Sequence, residues 1–146
     1  MPTEIRKVAV VGSGLMGSQI AAHIANSGVP VLLLDIVVKD ADDRNMLPKG
    51  ALERMKKGIF MHPSVEERVE IGNMEDDLEK IKECDFVIEV VLEDLAIKSA
   101  LYKKIDSVRK PGTIVASNTS TIPLSHLIKD QSPEFAKDFM ITHFFN

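Results

Sequence analysis

Val8-Ala9-Val10-Val11 runs straight into Gly12-Ser13-Gly14-Leu15-Met16-Gly17, and Val31-Leu32-Leu33-Leu34-Asp35 follows a helix-spaced stretch. A short, unbroken apolar run suits a strand buried on both faces, as in a parallel sheet. Between the two runs, Ile20, Ala21, Ile24 and Ala25 recur at helical spacing, and Gly28 suits the helix's C-terminal end. The stretch therefore reads as strand, turn, helix, strand: a βαβ unit. Each glycine of the turn has a use. Gly12 sits where the chain must reverse sharply, Gly14 has no side chain to hold a pyrophosphate off the backbone, and Gly17 lets the helix approach the strand. The helix N-terminus then offers unpaired N–H groups and partial positive charge to phosphate. An ordinary glycine turn is the alternative, and the strand before and helix after argue against it.

Asp35 closes the second strand, 23 positions after Gly12, near the roughly 20 expected of a ribose-binding acid. A carboxylate there accepts from both adenosine ribose hydroxyls and repels a 2′-phosphate. Ile36-Val37-Val38 follows, with no arginine to receive such a phosphate. NAD is therefore expected in preference to NADP. A helix-capping or turn carboxylate is the plainer reading of Asp35.

Beyond the unit, residues 37–83 are more polar and read as helical, with Leu47, Ala51, Met55 and Ile59 forming a narrow stripe and Arg54, Lys56 and Lys57 lying off it. Pro48 suits a first turn. Ser64 with Glu67 has capping-box spacing after a break at His62-Pro63. Val69–Ile71 is a candidate short strand, and 75–83 a charged surface helix. Phe86–Val91 reads as an apolar strand, Leu95–Val108 as a helix, Pro111-Gly112 as a turn and Thr113–Ala116 as a strand. Pro123–Lys129 reads as a short helix capped from Thr121, and Phe139–Thr142 as the last strand. Strands alternating with helices through short turns argue for an α/β fold, a Rossmann-type doubly wound parallel sheet in one domain over 1–146.

The 146 residues suffice for one domain, and 45% hydrophobic residues with 27% charged allow a real core. A net charge of −4 supplies no general field for nucleic acid or an anionic membrane, so neither is expected as a partner. No apolar run reaches the ~18 residues of a membrane span, and the N-terminus lacks a secretory pattern. The single cysteine, Cys84, can form no internal disulfide and reads as packing, so a reducing, cytoplasmic setting is expected. His23, His62 and His126 lack partners at ligand spacing, and no HExxH or CxxC occurs, so no metal is expected.

In doubly wound sheets ligands lie beyond the carboxyl ends of the strands. Those ends carry Glu89 to Glu93-Asp94, Ser117-Asn118-Thr119-Ser120-Thr121 and His143. A neutral imidazole suits a general base near pH 7. Ser120 could hydrogen-bond a substrate oxygen, and Asn118 the cofactor ribose or nicotinamide. A structural or terminal histidine is the plain alternative for His143.

The glycine turn, Leu32–Asp35, Asp85–Glu93, Ser117–Ser120 and Thr142-His143-Phe144-Phe145-Asn146 occur in order. Together they resemble the NAD-binding domain of the L-3-hydroxyacyl-CoA dehydrogenase family of fatty-acid β-oxidation. The 88–98 stretch and the closing HFFN are most similar to the bacterial multifunctional β-oxidation proteins, where this domain belongs to a longer chain. The resemblance implies NAD as cofactor and acyl-CoA as substrate. It makes His143 the catalytic base, Ser120 the contact to the 3-oxygen, and Asn146 a substrate-holding residue. Cofactor contacts fall to Gly12, Gly14, Leu15, Met16 and Gly17 in the turn, to Asp35 and Ile36, and to Glu93, Lys98 and Asn118. It also implies a helical arm after the second strand that covers coenzyme A; Lys56 and Lys57 could meet its phosphates, and a solvated helix face is at least as good a reading of the two.

Three departures from the family stand out. The interval between Asp35 and Glu89 is short, so the arm is expected to be trimmed. Val90 stands where a smaller residue is usual. The glutamate that orients the histidine, and the helical C-terminal domain that completes the cleft, would both lie past Asn146. The chain is therefore expected to bind NAD, to turn over little, and to self-associate through a bare sheet edge. Two other functions remain open on the residues alone: a dehydrogenase of non-CoA hydroxy acids, and a non-catalytic NAD-binding module.

Overall fold

The structure, a computed structural model, describes residues 4–145. The βαβ reading of the opening stretch holds, with β1 (Val8–Val11), α1 (Leu15–Asn26) and β2 (Val31–Asp35). α2 (Met46–Lys56) and β3 (Val69–Asn73) follow, then β4 (Phe86–Glu89), α3 (Leu95–Val108) and β5 (Ile114–Ser117). α4 (Leu124–Leu127), α5 (Pro133–Lys137) and β6 (Phe139–Ile141) complete the order. The strands form one six-stranded sheet in the order β3-β2-β1-β4-β5-β6, every neighbouring pair parallel. The order reverses between β1 and β4, which places the switch point beside the glycine turn.

Side chains alternate across the sheet with period two. Ala9, Val11, Leu32, Leu34, Val87 and Val115 face one core, with Tyr102 and Ile105 of α3 and Phe135 of α5. Val8, Val10, Val31, Leu33 and Ile88 face the other, with Ile20, Ala21 and Ala25 of α1 and Ala51 and Met55 of α2. Both faces are covered, which is why β1 and β2 read as unbroken apolar runs. Gly28 takes a φ of +94° just after α1, as a left-handed helix end requires. On the first core Tyr102, Phe135 and Phe139 pack ring against ring, with centroids 5.1 to 5.5 Å apart.

The structure departs from the sequence reading mainly between β2 and β4. Val69–Asn73 is a full edge strand, paired with β2 along its length. The only α-helix of that stretch is α2, which packs on α1, β2 and β3 with Ala51 and Met55 buried. Pro63–Arg68 and Leu78–Glu83 are 3-10 turns. Ile59 lies beyond α2 and still packs on the second core. Ser64 caps nothing. The turn starts at Pro63, so the cap position falls on His62, whose Nδ1 accepts from Ser64 N at 3.1 Å. Pro123, not Thr121, precedes α4, and no side chain caps it. α5 escaped the sequence reading although Ser132-Pro133-Glu134 announces it: Ser132 Oγ accepts from Phe135 N at 3.1 Å.

Candidate active site

The site is built on the carboxyl ends of β1, β2, β4, β5 and β6, and four of the loops that leave them are tied to a neighbouring strand. Gly12 N donates to Leu34 O (2.8 Å), Val90 N to Val11 O (2.8 Å), Asn118 N to Glu89 O (2.9 Å) and Thr142 N to Ser117 O (3.0 Å). The ladder thus continues past the strands and fixes where the polar residues begin.

The three glycines of the turn do different work. Gly12 adopts a φ of +106°, and a Cβ there would collide with Val90 O. A Cβ on Gly17 would collide with Gly12 O, so helix and turn touch at van der Waals distance. A Cβ on Gly14 would meet nothing within 4 Å. The space over Gly14 is open, as a cradle for a bulky anion must be. Gly14 is also the N-cap of α1, without a capping side chain and with no acid in the first turn. The N–H groups of that turn are therefore left for a phosphate.

Asp35 is held by three donors: Ser13 N (2.7 Å) and Ser13 Oγ (2.5 Å) on Oδ2, and Ile36 N (2.7 Å) on Oδ1. Its carboxylate is thereby aimed at a cleft of ≈ 590 Å³ that includes Gly12, Gly14, Ile36, Met74, Ile97 and Leu101. An acid at the rim of an apolar slot suits an adenosine, ring inside and ribose hydroxyls on the acid. One contributor escaped the sequence reading. Arg54 of α2 donates to Ser13 O (2.7 Å) and Ser18 Oγ (3.0 Å), bracing the turn from behind. Only the packing of α2 against α1 brings it there.

A second cleft of ≈ 490 Å³ shares Gly14 and Val90–Leu92 with the first and holds Leu15, Met16, Gly17, Glu93, Asn118, Ser120 and His143. Glu93 clasps the loop after β5: Oε1 accepts from Thr119 Oγ1 (2.5 Å), and Oε2 from Ser120 N (3.0 Å) and Ser120 Oγ (3.2 Å). Burial alone would raise the Glu93 carboxyl, but these donors and the Lys98 charge outweigh it and hold it below its ordinary value. Asn118 Oδ1 accepts from Phe144 N at 2.8 Å, tying the loop after β6 to the loop after β5. His143 is exposed between these ties, its ring edge-on to Phe145 with centroids 5.0 Å apart. Among the described residues no carboxylate bonds to it. Asn146 lies outside the described residues.

Lys98 differs from the other expected cofactor contacts. It is 1% exposed and lines neither cleft. Its ammonium is 2.6 Å from Glu89 and 3.7 Å from Glu93. Lys56 of α2 is occupied by Glu53 (2.9 Å) and Glu66 (3.0 Å). His23, His62 and His126 are exposed, and Cys84 is buried in the first core. Among the described residues no three His, Cys, Asp or Glu side chains converge as a metal site would need. Among the described residues no helix is long and apolar enough to cross a membrane.

Two clefts joined across a glycine turn at a switch point, with an acid at the end of β2, define a dinucleotide-binding Rossmann domain. Residues 7–146 match the family model of the 3-hydroxyacyl-CoA dehydrogenase NAD binding domain, and the chain belongs to that family. Its cofactor is NAD. A putative fatty acid oxidation complex trifunctional enzyme of Rickettsia felis is 50% identical over the whole chain, which covers 21% of that protein. A probable 3-hydroxyacyl-CoA dehydrogenase of Deinococcus radiodurans is 45% identical over 98% of the chain and 42% of its own length. The crystal structure of (S)-3-hydroxybutyryl-CoA dehydrogenase from Ralstonia eutropha superposes with a TM-score of 0.77 at 30% identity, covering 98% of this chain and 50% of that one. The chain thus spans less than half the length of these curated relatives.

Proposed function

We propose that this domain carries the cofactor and the base of an L-3-hydroxyacyl-CoA dehydrogenase acting in fatty-acid β-oxidation. The observation that carries this reading is the gathering of Glu93, Asn118, Ser120 and His143 in the cleft that continues from Gly14 and the α1 N-terminus. Bound NAD supplies the hydride acceptor for C3 of the substrate. Gly14 and the N–H groups of Leu15, Met16 and Gly17 receive its pyrophosphate. Asp35 takes the adenosine ribose hydroxyls and repels a 2′-phosphate, while Ile36 covers the adenosine side. The His143 imidazole removes the proton of the 3-hydroxyl as hydride departs. Ser120 Oγ, held to Glu93 by a long 3.2 Å bond, is free to turn to the same oxygen. Asn118 holds the cofactor side of the cleft, and Asn146 the substrate.

The isolated chain binds NAD and turns over little. His143 is exposed and lacks a carboxylate to fix its tautomer among the described residues, and the cleft around it is open to water. Acyl-CoA is a partner of the whole enzyme. Self-association of this chain runs through the β6 edge, where Met140 and Ile141 are exposed. The buried, unpaired thiol of Cys84 accords with a reducing cytoplasm.

Calorimetry tests the cofactor assignments. NADH binds more tightly than NADPH, and Asp35→Ala weakens NADH by about tenfold or more, as loss of a charged hydrogen-bond partner does. Equal affinity for the two nucleotides would count against Asp35. Reduction of acetoacetyl-CoA by the 146-residue chain at rates typical of dehydrogenases would overturn its catalytic incompleteness.

A further inference from the structure

Glu89 ends β4 and is 0% exposed, and neither cleft touches it. Four donors nonetheless converge on its carboxylate. Oε1 accepts from Tyr102 Oη (2.5 Å) and Ser117 Oγ (2.7 Å). Oε2 accepts from Lys98 Nζ (2.6 Å) and Val91 N (3.0 Å). A carboxylate has about four lone-pair sites, so this one is filled, and only the ionised form can accept from all four. A buried charge satisfied this fully is costly to assemble and has a definite geometry.

The donors lead to both walls of the second cleft. Val91 N is backbone of the loop after β4, which forms one wall. Ser117 Oγ, while donating to Glu89, accepts from Thr119 N (3.1 Å), the first turn of the loop that carries Ser120. Lys98, drawn to Glu89, also faces Glu93 at 3.7 Å, and Glu93 clasps Thr119 and Ser120. Val91 lines both clefts, but none of these links touches Asp35, Ser13 or Gly14, which hold the adenosine side. We infer that Glu89 is a positioning residue for the nicotinamide half of the cofactor cleft: it holds the 90–93 and 117–120 loops at a fixed separation through Val91, Ser117 and Lys98. This rests on the reading that the His143 cleft receives the nicotinamide.

The two halves of the cofactor give the test its selectivity. ADP retains the adenosine and the pyrophosphate and lacks the nicotinamide riboside. NADH reports its own ring through nicotinamide fluorescence. With the 146-residue chain, Glu89→Gln is expected to weaken NADH by about tenfold and reduce the emission change on binding, while ADP affinity stays within about twofold. The amide cannot accept from all four donors. Should Lys98, left without its partner, prevent folding, Glu89→Gln combined with Lys98→Met removes both charges and is expected to show the same selective loss. Ser117→Ala keeps the ion pair and removes one of the two links to the second loop, leaving the one through Glu93, with an expected selective loss of about threefold. Parallel weakening of NADH and ADP, or no change in either, would overturn the inference alone. An NADH emission unaltered on binding to the unsubstituted chain would overturn the cleft assignment and the inference with it.

Discussion

Gly14 and Gly17 stand three positions apart in one turn and are needed for opposite reasons. Around Gly17 there is no room, since a Cβ would strike Gly12 O. Around Gly14 there is nothing but room. Gly17→Ala is therefore expected to cost about 1–3 kcal/mol or more of folding stability by overpacking. Gly14→Ala places a poorer cap on α1 and costs about 1 kcal/mol at most, yet fills the phosphate cradle. Urea unfolding and NADH titration of the two variants separate these outcomes. Gly14→Ala stays folded and loses NADH by about tenfold or more, while Gly17→Ala loses the fold first. If the order were reversed, the division of labour within the turn would be wrong. The motif already gives the three glycines different tasks, and the backbone contacts add that Gly12 and Gly17 have no room for a Cβ while Gly14 has.

The elements that frame the site are joined by carboxylates, and these make the fold sensitive to acid. Glu93, between the loops after β4 and β5, is raised by burial but lowered more by Thr119, Ser120 and Lys98. Asp76, beside β3, is lowered to about 2 by Arg44 and Asn73. Asp43 is lowered by Lys49, and Asp85 by Lys110. A pKa below its unfolded value contributes stability above that unfolded value, and the contribution is lost as pH falls through the folded one. The midpoint of thermal unfolding is thus expected to fall from about pH 4.5 downward to about 2, and Glu93→Gln to flatten the upper part of the fall. The alkaline side has the opposite sign. Burial pushes the Cys84 thiol from 9.0 to about 11, so its contribution is intact below pH 9 and lost as pH rises to about 11. A Cys84→Ala scan whose alkaline limb matched that of the unsubstituted chain would remove Cys84 as its cause. At this scale the apolar strands were legible, because β1, β2 and β4 are buried on both faces and leave unbroken runs. The stretch from 37 to 83 was not. Its 3-10 turns and the half-exposed β3 are set by neighbours, so their local pattern is ambiguous.

Across the whole molecule the sheet ends on two unlike edges. β3 carries Glu70, which pairs with Lys7 and Lys80, so one edge is charged. β6 is three residues long and presents Met140 and Ile141, with β5 as its one strand neighbour among the described residues. An apolar edge with unpaired backbone groups invites another chain. Light scattering at rising concentration is expected to show association, and Met140→Lys with Ile141→Lys to reduce it. A clean monomer at high concentration in the unsubstituted chain would remove the edge as a contact surface. The same strand leads into His143 and Phe145, the latter 87% exposed.

Pattern along the chain is enough to specify the parallel α/β fold, the phosphate turn, the acid at the end of β2 and the set of polar residues at the strand ends. These are local: apolar period, glycine spacing and position relative to a strand are all written along the chain. Tertiary structure alone decided what those residues touch. It put Arg54 behind the glycine turn, seated Lys98 on Glu89 as well as within reach of Glu93, and gave the buried Glu89 four donors from β5, α3 and its own loop. Arg54 lies 41 positions from Ser13 and Ser117 28 from Glu89, and although Val91 and Lys98 are nearer, no spacing rule encodes these contacts. Arg54 arrives through the packing of α2 on α1, and the donors of Glu89 converge because the strand order lays β4 between β1 and β5, with α3 across them.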